Sequence, residues 1–555
     1  MSRRSESGAE PVGVGREQLR PRLDKRRDAT KRAVERSPPP GVNGDRPERP
    51  RARVERGSNA PRAATSAAKA LVPRPRAVAH CSAMDPHAPP AEAPPPPSAT
   101  AAGAPGLVRA LGAWDGASLT IGAVIGTGIF LTAGDVARAL PHPVLALAAW
   151  LAGGLLVLAG ALSYAELGAL YPRAGGLYHF LREAWGPLPG FLYGWTCLLV
   201  IMTGGIAAIA VGFGDYLGAL VPPFSSAHIV LALGGLRVSG AQLAALLAIA
   251  ALTAANHFGV REGALVQNVF TVAKLAAIAA LVVGGFAVAP AVAFHASAPL
   301  PAPPLALVAP FGVALIATLW TYDGWYALTF SAGEVRDPSR DLPRGLVVGV
   351  LVVIAAYALL NLVYLRALTV QELASTSRVA EAAARRLFGD TAARAMTAAV
   401  AVSAFGCLAA TILYSSRVYQ PMAADGVFFT RIATIHRRWR TPVAALWLQS
   451  AWAAVLVLTG SYTQLFTYVT FGGVLFHVAA GLALFRLRVT RPEAVRPYRV
   501  WGWPLVPGLF VLGMALLTVN TLESAPRESL LGLLAIAAGV PAYVAWRRNA
   551  RRRAG

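Results

Sequence analysis

Twelve apolar stretches, most of them twenty residues or longer, fill the chain from about residue 112 to residue 547, and they restrict its fold class more than any other feature. About twenty apolar residues in helical form cross a hydrocarbon core roughly 30 Å thick. Lipid offers no partners to the backbone, so each run must pair its own N–H and C=O groups, which an α-helix does. Composition agrees. Hydrophobic residues make up 55% of the 555-residue chain and charged residues 14%, against about a quarter charged in soluble domains. The mean hydropathy is +0.50. The expected fold class is an all-α polytopic membrane protein with spans near 112–139, 143–170, 187–220, 238–256, 263–288, 308–333, 342–366, 392–419, 442–460, 463–486, 502–521 and 529–547.

The formal net charge of +23 does not point to nucleic acid, because its distribution follows the spans. Roughly half of it lies before residue 84. Most of the rest falls in alternate connections, with Arg173 and Arg182, then Arg261, then Arg336, Arg340 and Arg344, then Arg431, Arg437, Arg438 and Arg440, then Arg486 to Arg499. The connections at 288–307 and 460–462 hold no Arg or Lys. Short cytoplasmic loops carry the excess of basic residues, so both termini are expected on the cytoplasmic side of a cell (inner) membrane. The connection 367–391, with Arg378, Arg385 and Arg386, is an exception in a longer loop that also carries acids. Trp501 and Trp503 are expected in an interfacial aromatic belt.

Residues 1–104 are rich in Arg, Pro, Ser and Ala and are expected to be a disordered basic extension. No apolar run follows its basic residues, so a cleaved secretory leader is not expected, and Met84 is a candidate start of translation. Cys81, Cys197 and Cys407 have no ligand spacing and read as inert thiols, the latter two buried in apolar segments. No cofactor and no metal are expected.

Two spans are interrupted. IGAVIGTGIF, from Ile121 to Phe130, places three glycines and a threonine inside the first. Such a stretch could cradle phosphate, pack helices through Gly122 and Gly126, or break a helix. The phosphate reading needs a preceding strand and an aqueous setting, and neither is present. Helix packing remains open on this stretch alone. LWTYDGWYALTF, from Leu319 to Phe330, places Asp323 and Gly324 near the middle of the sixth. A carboxylate at membrane depth usually marks a site. Interruptions in corresponding spans of two halves are characteristic of carriers built from inverted repeats. Unwinding at Gly126–Gly128 frees amide N–H groups suited to a carboxylate, and unwinding at Trp320–Gly324 frees carbonyls suited to an ammonium. Together they describe a site for an α-amino acid zwitterion.

Five motifs in this order, IGTGIF, SYAELGALYPRAGGLYHFLREAWG, NHFGVREGALVQNVFTVAK, LWTYDGWYALTFSAGEVRDPSRDLPRG and SSRVYQPMAADG, make the chain resemble the amino acid–polyamine–organocation permease superfamily, in its L-type amino acid transporter-like branch. The resemblance covers about residues 107 to 500. It implies a 5+5 inverted repeat with broken helices 1 and 6 plus two further helices, working by alternating access. The division would be 105–290 and 291–490 for the repeats, 491–547 for helices 11 and 12, and 548–555 for a basic cytoplasmic tail.

The resemblance also implies roles for particular residues. Val124, Gly126, Thr127 and Gly128 match the carboxylate-binding segment. Trp320, Thr321 and Tyr322 match the segment that presents carbonyls to the amino group, with Trp320 at an aromatic gate and Tyr326 near the side-chain pocket. Asp323 either caps freed amides or favours cationic substrates. Lys274 matches a lysine that replaces a sodium ion in several relatives; it either snorkels to the interface or bridges the first break to the eighth span, where it could exchange a proton. Glu166 and Glu334 are expected to help close an inner gate with arginines such as Arg173 or Arg336.

The implied function is sodium-independent transport of L-amino acids across the plasma membrane, by proton coupling or by exchange. Animal members of the branch join a single-span glycoprotein through a cysteine between the third and fourth spans. The segment 221–240 has no cysteine here, so no disulfide-linked heavy chain is expected, and the protein should act as a monomer or homo-oligomer. A transport-inactive amino acid sensor is an alternative. A channel is disfavoured because the interruptions imply an occluded site. A membrane-embedded enzyme is disfavoured because the histidines are scattered and the spans hold no paired aspartates or HExxH.

Overall fold

The computed structural model describes residues 107–554 except 234–235, 293–298, 302 and 460–461. The expectations for residues 1–104, including a start at Met84, lie outside the described residues.

The described chain is a bundle of helices, ten of them long and apolar enough to cross a bilayer. Val443–Thr459 is equally apolar but shorter, and the first expected span is divided into pieces too short to cross alone. Along the lipid-facing sides, large apolar side chains such as Leu155, Leu265, Val269, Val283 and Leu516 stay exposed. Hydrocarbon is as apolar as they are, so helix association there rests on close packing and interhelical hydrogen bonds rather than on escape from water.

Both interruptions are present. Ala113–Val124 is helical and Gly128–Leu131 resumes after a gap at Ile125–Thr127. Val308–Tyr322 is helical, Asp323 turns into extended backbone, and Ala327–Phe330 resumes. The first of these spans lies at the centre. The helix Ala113–Val124 is buried along nearly its whole length and packs against the seventh span, Asp341–Ala367, and the fifth, Val260–Ala287. Gly122 provides the second contact, since a Cβ there would fall 1.4 Å from Gln267 Nε2. The glycines of the opening motif therefore divide their work, Gly122 in packing and Gly126 in the break.

Several connections have structure that their charge and polarity did not announce. Leu177–Trp185 is a helix between the second and third spans, and Val370–Ser375 and Val379–Phe388 are helices within 367–391. Ile229–Leu233 and Leu236–Ser239 pair as an antiparallel hairpin between the third and fourth spans, a small departure from an all-α fold. The third span contains a π-helical turn at Cys197–Ile201, and such turns often lie beside functional sites. The final helix, Gly539–Ala554, continues through the residues read from sequence as a tail.

Candidate functional site

The two breaks touch. At the first, the amides of Gly126, Thr127 and Gly128 find no acceptor among the described residues, because the gap at Ile125–Thr127 interrupts the helical ladder. At the second, Asp323 N–H donates to the Trp320 carbonyl at 3.0 Å, and the Tyr322 carbonyl has no donor among the described residues. Gly324 adopts φ +93°, and a Cβ on it would lie 2.9 Å from the Ala123 carbonyl oxygen. A Cβ on Gly128 would lie 3.2 Å from Thr321 Cα. Only glycine allows the two strands of unwound backbone to come this close.

The carbonyls freed at the first break are satisfied by side chains from three other spans. Lys274 Nζ donates to the carbonyls of Gly122 at 3.0 Å and Ile125 at 2.6 Å. Lys274 is 1% exposed, so it does not snorkel to the interface. Ser403 on the eighth span donates to Ile125 and Gly126. Cys407 Sγ, on the same span, donates to the Ala123 carbonyl at 3.1 Å. Lys274 and Ser403 thus meet on a single carbonyl, which is how the lysine is tied to the eighth span. Tyr357 on the seventh span donates to Val124 O at 3.2 Å and Thr321 O at 3.1 Å, bridging one break to the other. With the carbonyls of Gly122 to Gly126 occupied, the residues with unpaired amides, Gly126, Thr127 and Gly128, line a cavity.

That cavity, of about 520 Å³, is lined by Val124, Gly126, Thr127, Gly128, Trp320, Thr321 and Asp323, together with Ile201, Met202 and Gly205 of the third span and Cys407, Thr411 and Tyr414 of the eighth. Seven of the expected site residues therefore share one chamber. Two others do not face it. Tyr322 turns toward the second span, where its hydroxyl donates to the Trp150 carbonyl at 3.3 Å. Tyr326 is buried behind the break, and its hydroxyl reaches Asp323 Oδ2 at 3.4 Å.

Glu166 and Glu334 sit at the end of the bundle that carries the arginine-rich connections, with partners other than those expected. Glu334 is bound by Arg417 through two hydrogen bonds of 3.1 and 3.0 Å, with both side chains essentially inaccessible. Glu166, also inaccessible, takes Arg488 at 2.9 and 2.5 Å, has Arg496 at 3.4 Å, and accepts the Val500 N–H at 2.7 Å. Arg173 and Arg336 pair with neither glutamate. The structure favours Arg417, Arg488 and Arg496 because they approach from the eighth span and from the tenth span with its following loop, distant in sequence.

Sequence reasoning missed Ser403, Thr411, Tyr357 and Tyr414, and it dismissed Cys407 as an inert apolar thiol. A signal existed. Ser403, Cys407 and Thr411 recur every fourth residue and so form one polar stripe on an otherwise apolar helix. Among the described residues no group of three or more His, Cys, Asp or Glu side chains is arranged to hold a metal ion.

Comparison with known proteins adds an independent line. The family model described as "Amino acid permease" matches residues 111–534. The serine/threonine exchanger SteT of Bacillus subtilis is 31% identical over 447 residues, covering 80% of this chain and 98% of that protein. The mouse large neutral amino acids transporter small subunit 2 is 32% identical, covering 79% of this chain and 80% of its own length. The human b(0,+)-type amino acid transporter 1 is 31% identical, covering 79% and 88%.

Proposed function

Since the chain belongs to the amino acid permease family, and to its L-type transporter-like group, we propose that it carries L-amino acids across a cell (inner) membrane by alternating access, without sodium, by exchange or proton coupling. The observation that carries this reading is the chamber between two broken helices, whose walls include Gly126–Gly128 from the first break and Trp320, Thr321 and Asp323 from the second. A substrate carboxylate would sit on the first, where N–H groups at a helix start favour negative charge. Its ammonium would sit on the second. The relatives' names, an exchanger and two amino acid transporters, point the same way.

Lys274 supports independence from sodium. Its ammonium already occupies the carbonyls of Gly122 and Ile125, groups that would otherwise attract a cation. The Glu334–Arg417 and Glu166–Arg488 pairs would close the cytoplasmic end when the chamber faces outward, and must loosen for release. On this reading residues 105–290 and 291–490 are the two repeats, with the arginine-rich connections and both termini in the cytoplasm. The segment between the third and fourth spans lacks cysteine, so the carrier would work without a disulfide-linked partner.

The test is uptake of labelled amino acids by the purified full chain in liposomes, with and without internal amino acid, a sodium gradient or a proton gradient. Stimulation by internal amino acid or by protons, and none by sodium, is expected. Strict dependence on sodium, or no uptake under any gradient, would overturn the reading.

A further inference from the structure

A second cavity of about 420 Å³ adjoins the first, and the two share Ile201, Trp320 and Asp323 in their walls. Beyond those residues the walls are mainly apolar, with Leu319, Val474, Met514 and the Trp325 indole. One polar side chain projects from the far wall: His477, on the tenth span. The ring is 6% exposed and fixed among Trp325, Tyr326 and Phe510, with ring centroids 5.4, 4.9 and 6.4 Å away. Its Nδ1 is paired with the Tyr164 hydroxyl at 2.8 Å. Nε2 has no protein partner among the described residues and is the nitrogen left for the cavity. A buried imidazole held on one side and unmatched on the other is unusual, because buried polar groups are ordinarily paired.

Taking the second cavity as the compartment for the substrate side chain, we propose that His477 is a specificity-determining residue, selecting amino acids with an apolar stem and a hydrogen-bonding nitrogen at the tip. The proposal rests on the zwitterion reading of the first cavity. With the α-groups held at the two breaks, a side chain as short as that of serine stays within the first cavity. A longer one would extend past the shared residues Trp320 and Asp323 into the second cavity, which His477 lines. A guanidinium or carboxamide tip would meet the Asp323 carboxylate and the imidazole together. An aliphatic tip would leave both polar groups dry and unpaired, and sites built for a hydrogen bond discriminate strongly against ligands that lack it.

The experiment compares arginine, glutamine, leucine and alanine as substrates of the full chain in liposomes, by kcat/KM, for the wild type and three variants. Wild type is expected to favour arginine or glutamine over both leucine and alanine. His477→Phe, which fills the same space without a nitrogen, should lower the arginine-to-alanine or glutamine-to-alanine ratio about tenfold, the loss of one hydrogen bond to a buried partner. His477→Gln, which retains a nitrogen, should preserve more of it. Gly473→Ile approaches from a different wall: Gly473 lines this cavity and a Cβ there meets nothing within 4 Å, so the variant fills the compartment and should depress the same ratio. It also decides the matter if His477→Phe fails to fold. Equal losses for all four substrates, or ratios that do not move, overturn the proposal while leaving the zwitterion site standing. Wild-type protein that exchanges no amino acid overturns both.

Discussion

Lys274 and Ile125 lie 149 residues apart, and the lysine ammonium donates to the isoleucine carbonyl at 2.6 Å in the interior of the bundle. The same ammonium reaches Gly122 at 3.0 Å, so one side chain holds both ends of the last helical turn before the first break. The break is therefore a structure stabilised by the fifth, seventh and eighth spans, not a loose segment of the first.

Replacing Lys274 with Met should strip two buried carbonyls of a charged donor. Leaving a buried polar group unpaired costs about 1–3 kcal/mol, so a clear fall in Tm is expected in detergent, with loss of most uptake. Thermal melts with and without amino acid check this. A variant that melts like wild type and still transports would mean the first break does not depend on the lysine.

Glu334 and Arg417 form an ion pair with no solvent access. Removing one partner of such a pair typically costs about 3–5 kcal/mol because the other charge is left buried, whereas replacing both with apolar residues can be nearly neutral. Glu334→Leu and Arg417→Met should each destabilise strongly, and the double variant should recover much of the loss. A double-mutant cycle on Tm, run beside uptake rates, measures the coupling; strictly additive losses would count against a direct pairing.

Gly324 joins a φ of +93° to a backbone neighbour 2.9 Å from its absent Cβ. Gly324→Ala should therefore cost about 1–3 kcal/mol in backbone strain alone and separate the two breaks, lowering substrate affinity as well as Tm. Binding measured by substrate-induced thermal shift would expose the affinity loss. An unchanged shift would show that the close approach of the breaks is not needed for binding.

Cys407 lines the substrate chamber and donates to the Ala123 carbonyl. In a chain whose only other cysteines, Cys81 and Cys197, are replaced by Ser and Ala, a small thiol reagent should block uptake, and saturating amino acid should slow the modification several-fold. Equal rates with and without substrate would place the bound amino acid elsewhere.

Much of this site could be read from the sequence because membrane depth makes polarity conspicuous. Asp323 and Lys274 stand out in apolar runs, and Gly126 and Gly128 flank a threonine where a continuous helix would favour bulkier residues. The partners were harder to see. Glu166 and Arg488 are 322 residues apart, and nothing local marks either for the other. Ser403, Cys407 and Thr411 are small residues at home in any packed transmembrane helix, so their stripe gains meaning only when the first break is seen lying against it. His477 was passed over among scattered histidines, and only the cavity in front of it sets it apart. The helices Leu177–Trp185 and Val379–Phe388 are too short and too polar to span a bilayer, so hydropathy marks them only as connections.

The most direct test of the zwitterion site asks whether the α-carboxylate is required. Liposomes containing the purified chain would be preloaded with a transported amino acid, its methyl ester, or the amine left after decarboxylation, and uptake of the labelled amino acid followed. Exchange driven by the free amino acid alone is the predicted result. Equal exchange driven by the ester or the amine would show that the amides at Gly126–Gly128 do not hold a carboxylate.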